Sequence, residues 1–88
     1  MKPTRQDEKA ARNNPWKLTA HQCMALRLVC EHGSTKRVAY ETDISHKLIE
    51  HHLHNSRKAM GLFGVDVRLF LNWARWIQTN QPVKQENQ

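Results

Sequence analysis

Four histidines, His46, His51, His52 and His54, fall within nine residues, among Lys47, Glu50, Arg57 and Lys58. Imidazole in such a run can ligate a metal, move a proton or hydrogen-bond an anion. His51 and His54 are spaced three apart, which on a helix can hold zinc, but no third and fourth ligand stands at a matching spacing. No metal and no cofactor are expected. Catalysis lacks its parts as well: there is no Gly-rich phosphate loop, no Ser or Cys nucleophile with a placed His and carboxylate, and no paired acids. The chain does not read as an enzyme. What remains is contact with an anion, His51 and His54 donating to phosphate or to base edges while His52 packs as a structural histidine. Imidazoles with the ordinary pKa of about 6.5 gain protons beside phosphate, so affinity for nucleic acid is expected to rise between about pH 8 and 6.

To present those groups, residues 46–60 must form a helix. Ile49, Leu53, Ser56 and Met60 recur at spacings of four, three and four, and Lys47, Glu50, His51, His54 and Lys58 follow the opposite face. Ser45 is a suitable N-cap, and Asp43, in the turn Thr42-Asp43-Ile44-Ser45, tolerates positive φ. Upstream, a helix begins after Thr19, buries Ala25, Leu26, Val29 and Cys30, and closes at His32-Gly33. A short helix follows from Lys36 to Thr42, capped by Ser34 or Thr35, with Val38 and Ala39 inward. Two packed helices, a tight turn and a capped third helix make the layout of a helix-turn-helix, whose last helix enters a DNA major groove.

With 88 residues and 39% hydrophobic content, the chain supports one modest helical core. No apolar run approaches the roughly 20 residues that span a bilayer, and the N-terminus lacks the apolar centre of a secretory signal, so a cytoplasmic protein is expected and no membrane partner. Cys23 and Cys30 lie seven positions apart, about 10 Å along a helix axis, too far for a disulfide. Cys30 fits the core stripe and Cys23 a position nearer the surface. The formal charge of +6 favours a polyanionic partner. Residues 1–15 carry no apolar stripe and are expected to be a mobile basic arm. They serve either as a solubilising tail or as a segment laying Lys2, Arg5, Lys9 and Arg12, with Lys17 just beyond, along a DNA backbone. The folded domain is expected over 16–78, with a polar tail over 79–88.

The segment resembles the LuxR/GerE-type helix-turn-helix domain of bacterial transcription regulators. The match is ungapped through Leu18-Thr19, Leu26-Arg27-Leu28-Val29, Ser34-x-Lys36, Val38-Ala39, Ile44-Ser45, Ile49-x-x-His52-Leu53-x-Asn55 and Lys58-x-x-Gly61, about 45 to 60 of the 88 residues. The resemblance implies an all-α, four-helix domain in which the third helix reads DNA and the fourth pairs with a second copy. By position it puts Glu50, His51, His54 and Arg57 near base edges, and Ser45, Lys47, Lys58, Lys36 and Arg37 on phosphates. Glu50 departs from the family, where a basic residue is common, and Leu48 and Gln22 replace a frequent threonine and glutamate. An isolated carboxylate there is repelled by phosphate unless it accepts from a cytosine amino group or pairs with Lys47.

The last predicted helix, 65–77, holds more apolar residues than one stripe buries internally, and Leu69, Phe70, Trp73, Trp76 and Ile77 are expected to share core and dimer-contact roles. The sequence thus reads as a transcription regulator of a bacterial or phage-infected cell, binding an inverted repeat of double-stranded DNA as a homodimer. Two alternatives stand beside it. One is an interaction protein that captures another regulator as a heterodimer through its last helix. The other is an architectural DNA-binding accessory.

Overall fold

The computed structural model describes residues 2–62 and 66–80, which are all-helical: α1 (Arg5–Asn13), α2 (Ala20–His32), α3 (Thr35–Thr42), α4 (His46–Met60) and α5 (Asp66–Asn80). Residues 81–88 of the expected tail, and the Val65 start of the expected last helix, lie outside the described residues; α5 itself runs through 79 and 80.

The expected mobile arm is instead largely a helix docked on α2. Thr4 and Asp7 form a capping box, the Thr4 N–H donating to Asp7 Oδ2 (2.8 Å) and the Asp7 N–H to Thr4 Oγ1 (3.2 Å). The same carboxylate, 1% exposed, accepts a forked pair of bonds from Arg27 Nε (2.8 Å) and Nη2 (3.0 Å) on α2. Arg27 Nη1 reaches Glu31 at 3.2 Å. Burial alone would raise the Asp7 carboxyl, but bonds from Arg27 and Thr4 and the Arg27 charge outweigh it and hold the group below its ordinary value. Ala10 is the one buried apolar residue of α1, so this ion pair anchors much of the helix.

Asn14 then turns the chain toward α2. Its amide donates to Ala10 O and Leu18 O, while its Oδ1 accepts from the Trp16 and Leu18 N–H groups. Lys17 sits there at φ 59°. Thr19 and Gln22 form a second capping box, and Gly33 ends α2 at φ 94°.

Every other helix packs on α2, which is why Cys23, Met24, Ala25, Leu26, Leu28 and Val29 are all buried. This reverses the expected roles of the cysteines. Asp7 of α1 lies near Cys23, which is fully buried, whereas Cys30, two turns further along the same face of α2, is exposed. Burial pushes the Cys23 thiol up to about 12, so it is inert at neutral pH. Val38, Ile44, Ile49, Leu53, Leu69 and Trp73 complete the core around Leu18 and Leu26, with Ala39 and Met60 packed at its edge.

Candidate nucleic-acid interface

Helix α4 is fixed at both ends by local chemistry. Asp43 takes the left-handed conformation (φ 59°), Ser45 accepts from the Leu48 N–H, and Gly61 (φ 72°) terminates the helix. Ile49, Leu53 and Ser56 are then committed to the core. At roughly 100° per residue, Lys47, His51, His54 and Lys58 fall within an arc of about 60° on the opposite side. All four are exposed. Asn55 Nδ2 donates to His51 Nε2 (3.2 Å), which orients that ring and leaves Nδ1 of the neutral imidazole as its donor.

Glu50 and Arg57, expected with the base contacts, lie to one side of this arc. The Glu50 carboxylate is 3.7 Å from His46 Nε2, not paired with Lys47, and His46 Nε2 is 3.0 Å from Thr35 Oγ1. Glu50, Arg57, Ser34, Thr35 and Phe70 line a pocket of about 190 Å³ where the start of α3 and the flank of α5 approach α4. The physical reason is helical phase, which sets Glu50 about 40° and Arg57 about 60° beyond His54, on the flank where Thr35 of α3 meets His46.

On α3, Ser34 accepts from the Arg37 N–H and caps the helix. Arg37 is held by Glu41 at 2.8 Å, and Glu41 also meets His32 Nδ1 at 3.1 Å. Lys36 is exposed on the side away from buried Val38, and one turn later Tyr40 is 85% exposed. Sequence reasoning missed Tyr40 and Asn55. The signal for Tyr40 was its i+4 spacing from Lys36 opposite Val38, and for Asn55 its i+4 spacing from His51.

No family model, curated protein or solved structure matches this chain.

The expected dimer residues divide. Leu69 and Trp73 are 0% and 4% exposed and belong to the monomer core, so neither is available to a partner. Phe70, Trp76 and Ile77 are half-buried, with the Trp76 ring 5.5 Å from Trp73 and 6.2 Å, edge-on, from Trp16. Leu71, between them on α5, is 53% exposed. His52 is half-buried beside His21, as its structural role required, and burial first, then His21 and His51, lowers its pKa. Among the described residues no group of three or more His, Cys, Asp or Glu is disposed to hold a metal ion.

Proposed function

We propose that the protein is a sequence-specific regulator of transcription that binds double-stranded DNA with the outer face of α4, acting as a homodimer in the cytoplasm. The observation that carries this is the arc of Lys47, His51, His54 and Lys58, exposed together and free of carboxylates, because the acid of α4 is turned to the flank against His46. Two lysines and two imidazoles at helical spacing match the charge and the donors of a phosphate-lined groove. Lys47 and Lys58, with Lys36 and Ser45, grip phosphates, and His51 and His54 approach base edges. Glu50 lies 3.7 Å from His46 on the flank of α4, outside the arc that meets phosphate. The arrangement α3, turn, α4 and the resemblance to LuxR/GerE-type domains support the same assignment.

A second reading, an interaction protein working through α5, draws on exposed Leu71 beside half-buried Phe70. Selection of genomic fragments by the purified protein at about 50 and 200 mM salt separates the two. Enrichment of a palindromic site, weakened steeply at the higher salt, is the expected result. No enrichment of any sequence at the lower salt would favour the interaction protein.

A further inference from the structure

Three imidazoles meet where the start of α2 crosses the middle of α4. The His21 and His52 ring centroids are 5.8 Å apart at 30°, and those of His51 and His52 are 5.9 Å apart at 55°. We propose that His21, His51 and His52 form a proton-operated clasp between α2 and α4, packed when neutral and self-repelling when protonated.

The surroundings give the clasp its direction. His21 is the second residue of α2, so its ring stands at the start of that helix, over the middle of α4. His52 is half-buried, whereas His21 and His51 are open to solvent. Among the described residues, no carboxylate is one of the groups acting on His52. The titratable groups acting on His52 are His21 from α2 and His51 from its own helix, and neither α3 nor α5, the other helices packed on α4, contributes one among the described residues. Two other histidines are built differently: His32 lies 3.1 Å from the Glu41 carboxylate and His46 3.7 Å from that of Glu50.

Burial, with His21 and His51, holds the His52 pKa below its ordinary value. The folded chain therefore binds this proton less readily than the unfolded chain. The contribution is fully present above the unfolded value of about 6.5 and is lost as pH falls through the folded one. His51 also belongs to the outer arc of α4, so on the DNA-binding reading a bound phosphate would bear on the same cluster. The clasp itself needs only the fold.

Urea unfolding of the full chain, followed by far-UV circular dichroism from about pH 8 to 5, tests the clasp without DNA. The expected midpoint is level down to about pH 7 and then falls. His21→Gln, at an exposed position that keeps the fold, makes that fall measurably shallower, and His52→Gln removes it. His54→Gln, outside the cluster, leaves the fall as in the parent. Ring resonances of His52 should also titrate to higher pH in His21→Gln than in the parent. An undiminished fall in His21→Gln, or a His52 titration indifferent to that substitution, would overturn the proposal.

Discussion

Replacing Asp7 by alanine removes a carboxylate that is 1% exposed and that joins the N-terminal helix to the core. Breaking a buried ion pair from one side costs about 3–5 kcal/mol. Arg27 is 18% exposed at its side chain and keeps Glu31 through Nη1, so its share here is nearer 2 kcal/mol. Loss of the bond to the Thr4 N–H adds about 1 kcal/mol. Asp7→Ala should therefore destabilise the protein by about 3 kcal/mol, a large part of the ~5–15 kcal/mol such domains possess. Urea unfolding would register this as a midpoint lower by roughly 2 M, and heating as a Tm lower by roughly 15 °C. Glu8→Ala, at an exposed position of the same turn, should stay within about 0.5 kcal/mol of the parent. Because the Asp7 carboxyl is held below its ordinary value, its contribution is complete above about pH 4 and is lost as pH falls through the folded value. If Asp7→Ala matched Glu8→Ala, residues 5–13 would be behaving as a mobile arm and the anchoring argument would fail.

Three further outcomes follow from the same geometry. Lys47→Ala and Lys58→Ala should each weaken DNA binding across all sequences and reduce the slope of log affinity against log salt by about 0.9, measured by anisotropy on a labelled duplex. Gly61→Ala should cost about 1 kcal/mol in chemical unfolding through its backbone alone, since φ is 72° and nothing lies within 4 Å of an added Cβ. Leu69→Ala should cost about 2–5 kcal/mol in folding, whereas Leu71→Ala should leave folding stability within about 0.5 kcal/mol of the parent and weaken self-association in sedimentation experiments.

The parts of the fold legible in the sequence are those written in local chemistry. Thr19, Ser34 and Ser45 cap the helices they were expected to cap, Gly33 and Asp43 adopt positive φ, and the stripe Ile49, Leu53 and Ser56 predicts the buried side of α4. Helix α1 escaped because its anchor is not hydrophobic: the burial of Asp7 depends on Arg27, twenty residues away, and periodicity of apolar residues carries no trace of such a pair. The pattern Thr4-x-x-Asp7 was its one local signature. Missing α1 also misplaced Cys23, because without that helix its side of α2 reads as surface. On α4 the outward arc was legible for Lys47, His51, His54 and Lys58. Helical phase also sets Glu50 and Arg57 on its flank; what spacing within one helix does not encode is that the start of α3, through Thr35 and His46, borders that flank.

Backbone amide shifts of the ¹⁵N-labelled protein, followed as a duplex carrying the selected site is added, test the central claim most directly. The predicted result is a set of perturbations concentrated on Lys47, His51, His54 and Lys58 and at the start of α3 around Lys36, with the exposed face of α1 unchanged. Perturbations confined to α5, or none at duplex concentrations that saturate other DNA-binding domains, would contradict the assignment of the α4 outer face to DNA.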